Sequence, residues 1–332
     1  MKFLIIGLGS MGKRRIRNLH ALDEKAIIGF DLSDERRKES EEKYGVKTVG
    51  DLAELNSSDY DALIISTPPN VHAPYIRKAL AEKKHFFVEV TTSSEGYEEI
   101  LAQPNDGVIR APSHTFRYFK PIQKMRELLH AERIGTVLAY QYHMGQYLPD
   151  WHPWEDYRQV YFAKRETSAI REMFPYELIW LSQLIGARVA EVTGFVDRVS
   201  DLDMDADDIL MTSLRHQNGV YGNIVIDVLS RKPFRTLRLI GTTGVIEWEW
   251  QDWKIRCYDS ATKQTETIEI EMGKTEAGYI NVEDMYIDEI RAFLDAIHGR
   301  REYPYSFTED LHHLKTLYAL EEASRTKRTT AV

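Results

Sequence analysis

Residues 3–12 read FLIIGLGSMG, an apolar run that passes directly into three spaced glycines, Gly7-x-Gly9-x-x-Gly12. The segment after them carries Ile16, Leu19 and Leu22 at helical spacing, so strand, tight turn and helix follow in order. Gly7 permits the turn, Gly9 lets the main chain approach a diphosphate, and Gly12 lets the helix lie against the strand. Ser10 and Met11 open that helix, whose unpaired N–H groups and positive dipole end suit phosphate oxygens. The next apolar run, residues 26–30, ends at Asp31, near the roughly 20-residue spacing at which an acid holds the adenosine ribose. A carboxylate there accepts from the 2′- and 3′-hydroxyls and repels a 2′-phosphate, so NAD is the expected cofactor. Arg36 and Arg37 nearby keep NADP possible. Lys13, Arg14 and Arg15 crowd the helix start, where each cation opposes the dipole by ~0.3–1 kcal/mol. An anionic ligand would offset that cost.

The chain has 332 residues, 43% of them hydrophobic, and a net charge of −9. That length suits two domains with ample core. The acidic balance, without a basic block, argues against nucleic acid as a partner. Cys257 is the only cysteine, which excludes an internal disulfide and a cysteine-based zinc site. His312 and His313 are adjacent and so face different ways on a helix, and the acid-rich stretch 201–208 lacks the calcium-loop pattern and reads as a solvated turn. No metal site is therefore expected. The first apolar run is too short for a signal-peptide core, and no stretch has membrane-spanning length, so a soluble cytoplasmic protein is expected.

Up to residue 118 short apolar runs alternate with helical stretches: strands at 62–66, 85–89 and 107–110 imply a parallel sheet with crossover helices. After Pro121 the pattern changes. A helix carries Ile122, Met125, Leu128 and Leu129, and 136–147 reads as a strand. A helix over 175–185 has Pro175 in its first turn and Gly186 past its end. From 192 to 270 strand follows strand, with a hairpin signal at Asn218-Gly219, a turn at 241–244, and clean alternation over 245–250. A helix with Ile287, Ile290, Phe293, Leu294 and Ile297 ends at Gly299, and Thr308 is the expected cap of the last helix. The expected architecture is an α/β Rossmann domain over 1–118, then an α+β domain over 119–332 with a large, mostly antiparallel open sheet.

This order of motifs resembles the glucose–fructose oxidoreductase / inositol dehydrogenase / MocA family of NAD(P)-dependent oxidoreductases. The resemblance rests on residues 7–12, Ser66-Thr-Pro-Pro-Asn-Val-His72, the strand ending at Glu89, Arg117, residues 238–247 and residues 285–293. It implies that Ser66, Thr67, Pro68, Asn70, His72 and Glu89 lie along the cofactor and that Arg117 serves the substrate. His72 has a second reading, a helix-start residue making local hydrogen bonds. Two departures stand out. The family's Glu-Lys-Pro motif is Glu89-Val90-Thr91 here, and Val90 cannot donate a hydrogen bond or stabilise an alkoxide. Where most members place an acid and a histidine, this chain has Glu172 and Tyr176. The resemblance further implies a homodimer or homotetramer formed through the exposed face of the second-domain sheet, with Trp248 and Trp250 candidates for that face.

Residues 145–158, GQYLPDWHPWEDYR, combine Tyr147, Asp150, Trp151, His152, Trp154, Asp156, Tyr157 and Arg158. Flat apolar faces beside charged tips suit a polyhydroxylated ring. An interface-filling role for the aromatics is the alternative. Removing a hydroxyl proton during hydride transfer needs a base: His152 by chemistry, Tyr176 by position, the latter with Arg171 or Lys164 as the cation that activates it. Arg171 is also a candidate for a substrate carboxylate, or for a structural pair with Glu172. The expected activity is NAD(H)-linked hydride transfer on a sugar, sugar derivative or cyclitol. A lyase or glycosidase using transient oxidation, and a nucleotide-binding regulatory protein without catalysis, are the alternatives.

Overall fold

The computed structural model describes every residue except 105, 153, 154, 277 and 278. Trp154, singled out above, lies outside the described residues. The chain divides into two compact units: Met1–Tyr118 with Gly273–Leu311, and Phe119–Met272 with His312–Val332. The stretch 273–311, expected in the second domain, thus packs with the first.

In the first unit β1 (Lys2–Ile6), α1 (Ser10–Ala21), β2 (Ala26–Phe30), α2 (Asp34–Tyr44), β3 (Lys47–Val49), β4 (Ala62–Ile65), α3 (Ala73–Ala81), β5 (His85–Val88), α4 (Tyr97–Leu101) and β6 (Arg110–Pro112) alternate. The six strands pair in parallel in the order β3-β2-β1-β4-β5-β6. The order reverses between β1 and β4, the switch point at which such sheets bind ligands beyond their carboxyl ends. The last strand begins at Arg110 rather than near Gly107, because Phe86, Phe87 and Val88 pair with 110–112. Helix α7 (Asp284–Ile297) closes the core: Ile290, Phe293 and Leu294 lie in one buried cluster with Phe3, Ile5, Leu8, Ile16 and Leu19. That packing is why a segment so late in sequence belongs to this unit.

The second unit contains α5 (Lys120–His130), β7 (Val137–Gly145), α6 (Ala169–Ile185), β8 (Val189–Asp197), β9 (Ile209–His216), β10 (Tyr221–Asp227), β11 (Phe234–Gly241), β12 (Gly244–Glu249), β13 (Lys254–Asp259) and β14 (Gln264–Glu269). With β15 (Thr330–Ala331) they form a nine-stranded sheet, antiparallel except for the β7–β10 pair. Helix α6 starts six residues before the expected Pro175. Burial of Ala169, Ile170 and Phe174 carries it through the proline, whose cost in a helix interior is ~3 kcal/mol. Trp248 and Trp250 lie on the covered face, not the open one: Trp248 packs against Trp180 of α6 and Phe119. The wet face of that strand belongs to Glu247 and Glu249. The cross-strand row Phe195, Met211, Val225, His143 and Thr236 continues across the open face, where Phe195 and Met211 are exposed.

Helix α8 (Phe307–Thr326) is capped by Ser306, not Thr308: the Glu309 N–H donates to Ser306 Oγ while the Ser306 N–H donates to Glu309 Oε2. The acid-rich turn is not wholly solvated either. Asp208 is buried and accepts from the N–H groups of Val199 and Ser200. Among the described residues no helix is long and apolar enough to cross a membrane, and no group of three or more His, Cys, Asp or Glu is placed to hold a metal ion.

Candidate functional site

The glycine turn is built by close packing. A Cβ on Gly12 would lie 1.7 Å from the Gly7 carbonyl oxygen, and one on Gly7, at φ +90°, 2.7 Å from the Ser66 oxygen. Gly9 differs: a Cβ there would meet only the Arg36 guanidinium, at 4.0 Å. Gly7 and Gly12 close the fold, whereas the space above Gly9 is left for something else. Helix α1 begins there with no side-chain cap and no acid in its first turn, so its leading N–H groups face that space without a protein acceptor. These features fit a diphosphate.

Asp31 stands at the carboxyl end of β2. Its two oxygens accept from the main-chain N–H groups of Leu8 and Ser33, both at 2.8 Å, and Arg36 lies 3.8 Å away. The carboxylate is thereby aimed and kept from turning. Arg37 is occupied with the Asp31 carbonyl and with Asp34, which leaves Arg36, half exposed, as the cation at this edge.

Beyond β4, Ser66 and Thr67 lead into a loop that His72 braces. The imidazole is buried, and its Nε2–H donates to the Thr67 carbonyl at 2.8 Å; burial lowers its pKa to about 4, so the ring is neutral. Pro68 and Asn70 are exposed on the same loop. Through this bond His72 braces the loop locally. Glu89, after β5, is gripped by Arg15 through two bonds of 2.6 and 2.9 Å, with Ser66 Oγ at 3.3 Å.

Each member of the basic trio meets a carboxylate within the chain, so the cost of crowding cations there is not left to a ligand alone. Lys13 pairs with Glu39, Arg14 with Glu283, and Arg15 with both Glu89 and Glu289. Burial alone would lower the Arg15 pKa; the two carboxylates reverse this and hold it charged. Glu289, fully buried on α7, also accepts from Ser113 Oγ, Thr115 Oγ1 and the His114 N–H. His114 is neutral, its pKa lowered to about 3 by burial and by Arg117, and its ring contacts Tyr118, Tyr303 and Tyr305. Sequence reading missed Glu289. A signal existed: it sits at i, i+3, i+4 spacing with Tyr286, Ile290 and Phe293, a charge on an apolar stripe.

In the second unit the contacts described for the candidates are pairs with nearby residues. Arg158 is bound in fork geometry by Asp156, with Asp203 at 3.7 Å. Arg171 pairs with Glu321 at 2.5 Å and with the Glu166 carbonyl, so its partner is not Glu172. Glu172 accepts from Tyr161 Oη at 3.4 Å. Asp150 is exposed, while Trp151 donates to the Gln146 carbonyl, and the Tyr147 ring is covered by Arg231 at 3.6 Å. His152 Nδ1 lies 2.8 Å from Glu155 Oε1, and the rings of both Trp151 and His152 pack edge-on against Phe162. Arg235 lies within electrostatic reach of Tyr176, a cation that the sequence did not suggest for it. Arg235 is buried against Glu177, which also accepts from Tyr142 Oη and Trp180 Nε1, each at 2.7 Å. Glu177 was not foreseen, although it too sits within an apolar helix stripe.

Comparison with known proteins agrees with this geometry. Residues 1–104 match the family model described as an oxidoreductase family with an NAD-binding Rossmann fold, and residues 122–247 match the GFO/IDH/MocA C-terminal domain. An uncharacterized oxidoreductase, YrbE of Bacillus subtilis (strain 168), is 28% identical over 138 residues, 40% of each chain. The chain thus spans about two fifths of the length of the curated relatives it matches. Among solved structures, an oxidoreductase from Agrobacterium radiobacter in complex with NAD+, L-tartaric acid and magnesium superposes with a TM-score of 0.88 at 18% identity, covering 100% of this chain and 98% of that one. Levoglucosan dehydrogenase in complex with NADH superposes with a TM-score of 0.86 at 17% identity, covering 100% and 99%. At these identities the superpositions speak for the fold. With both family models matched in order, the chain belongs to the GFO/IDH/MocA family of oxidoreductases and carries its NAD-binding Rossmann domain.

Proposed function

We propose that this protein is an NAD(H)-dependent oxidoreductase that moves hydride to or from a carbinol carbon of a sugar, sugar derivative or cyclitol. The observation that carries the cofactor half is Asp31, fixed by two main-chain donors at the end of β2. Gly7, Gly9, Ser10, Met11 and Gly12 would hold the diphosphate, and Ser66, Thr67, Pro68, Asn70, His72 and Glu89 the nicotinamide end. The substrate half leans on the likeness to levoglucosan dehydrogenase, solved with levoglucosan, and on the aromatic and charged groups of 145–158.

A bound nicotinamide supplies the two-electron donor or acceptor. The chain's own task is to hold the substrate and take its hydroxyl proton. His152, beside Glu155, and Tyr176, in the field of Arg235, are the two groups fitted to that task, with Glu172 as the neighbouring acid. Tyr147, Asp150, Trp151, Arg117, Arg158 and Arg171 are the proposed substrate contacts. Arg158 and Arg171 would exchange their present carboxylate partners for a substrate group. The row of Phe195 and Met211 on the open sheet supports assembly as a homodimer or homotetramer, which light scattering reads directly.

Fluorescence titration tests the cofactor assignment: NADH binds more tightly than NADPH, and Asp31→Ala abolishes or inverts the preference. Equal affinities in the parent protein remove Asp31 from its role. A panel of sugars and cyclitols, followed at the nicotinamide absorbance, tests the reaction. His152→Ala or Tyr176→Phe is expected to lower turnover by orders of magnitude; unchanged rates in both clear them of proton transfer. Val90 favours a second reading, cofactor retention without net turnover, as in a lyase or a regulatory protein. Under that reading, substrate is consumed or bound while NADH stays constant.

A further inference from the structure

The segment that re-enters the first unit after residue 272 reaches the glycine turn. Tyr279 Oη lies 2.9 Å from Ser10 Oγ, at the first residue of α1. Its ring is stacked on the Arg14 guanidinium at 4.3 Å, and Arg14 is held from its other side by the Tyr286 ring at 4.1 Å and by Glu283 at 2.9 Å. Arg17 approaches the Tyr279 ring at 5.6 Å. The phenol is thus clamped by cations, and its hydroxyl stands at the turn where α1 presents its unpaired N–H groups.

Arg14 supplies an independent sign that an acceptor belongs there. It is only 3% exposed, its Nη1 has no better acceptor than Met11 Sδ at 3.4 Å, and its Nη2 is buried with no hydrogen-bond acceptor among the described residues. A buried guanidinium donor without an acceptor is costly, and an anionic oxygen is the acceptor such a donor favours.

We infer that Tyr279 is a diphosphate ligand: in the dinucleotide complex its hydroxyl donates to a diphosphate oxygen beside Ser10, while Arg14 keeps the ring in place and adds positive charge. The inference rests on the cofactor reading given above and extends it to a residue nearly 270 positions from the glycine turn. Loss of the hydroxyl should chiefly speed release.

The test uses the full chain and Tyr279→Phe, which keeps the ring on Arg14 and removes one oxygen. Calorimetry with NADH, ADP-ribose and adenosine separates the parts of the ligand. A hydrogen bond to a charged oxygen predicts about tenfold weaker binding of NADH and ADP-ribose, faster NADH dissociation, and unchanged adenosine binding. The melting temperature without ligand stays the same, while the upward shift given by saturating NADH shrinks. Undiminished NADH affinity in Tyr279→Phe overturns the inference and leaves the cofactor reading standing. Equal loss for adenosine also overturns it, since the hydroxyl would then act away from the diphosphate. If the parent chain binds none of the three ligands, the cofactor reading falls and the role of Tyr279 falls with it.

Discussion

The two units present their candidate residues in opposite ways. In the first, functional side chains lean on main chain: Asp31 on the N–H groups of Leu8 and Ser33, His72 on the Thr67 carbonyl, and the glycines on one another's backbone. In the second, the charged candidates lean chiefly on other side chains: Arg158 on Asp156, Arg171 on Glu321, His152 beside Glu155. Main chain cannot rotate away, so a site built on it is rigid and tolerates little. The Arg158–Asp156 pair is half exposed and exchangeable, and a ligand can replace either partner at small cost. A common nucleotide suits the first arrangement, and a substrate that varies within a family suits the second.

Gly12→Ala should break the rigid side of this comparison outright. A Cβ 1.7 Å from the Gly7 oxygen forces the turn open. The expected result is loss of more than about 3 kcal/mol of stability together with NADH binding, read by thermal melting and titration. A variant that melts normally would show the turn to be soft.

The second unit has its own rigid point, buried beneath the exchangeable pairs. Glu177→Gln leaves the Arg235 charge buried without its counter-ion, and about 3–5 kcal/mol should be lost in denaturant melts. The double change Glu177→Gln, Arg235→Met should recover part of that loss, because no charge then remains to be buried. Failure to recover any would mean that packing around Tyr142 and Trp180, rather than charge, sets the cost.

A third measurement isolates one buried acid in the first unit. Asp310 accepts from Tyr97 Oη and Tyr305 Oη, and burial raises its pKa to about 6. The fold therefore favours its protonated form. Its contribution is most favourable below the unfolded value of 3.8 and is lost as pH rises toward 6. Asp310→Asn should gain on the parent protein between pH 4 and 6 and level off above, by roughly 3 kcal/mol in total. A difference independent of pH would show that Asp310 does not titrate in that window. His72, His114 and His313 act in the opposite sense, since burial lowers their pKa values to about 4, 3 and 3, and stability falls as pH drops below 6.5. Comparing variant with parent cancels them.

Arg158→Ala should do least. Its guanidinium is half exposed, and no change in melting temperature is expected, whereas the KM for the true substrate rises if the proposed contact is made. A clear loss of stability would place Arg158 among the structural pairs instead.

Legibility followed the same division. The glycine turn, Asp31 and the loop after β4 were readable because their geometry comes from residues close together in sequence, with spacings set by turn and helix dimensions. The Arg171–Glu321 and Arg15–Glu289 pairs join residues 150 and 274 positions apart, and no local pattern encodes such a meeting. Trp248 illustrates a partial reading. Alternation over 245–250 separates a wet glutamate face of β12 from an apolar tryptophan face, but whether that apolar face is covered by α6 of the same chain or by a second copy is not a local property. Pro175 misled for a related reason. Local propensity starts a helix at proline, and tertiary burial of Ile170 and Phe174 extended it backward.

Alone, the amino-acid order determined a parallel nucleotide-binding sheet, a following antiparallel sheet, and the residues of the glycine turn. Those follow from hydrophobic period and from the absence of a Cβ, both properties of neighbouring residues. Only the tertiary structure decided that 273–311 completes the first unit, that each cation of the basic trio of α1 meets a carboxylate, and that Tyr279 stands at Ser10. Those depend on where distant segments come to rest, which burial of apolar surface settles for the whole chain at once.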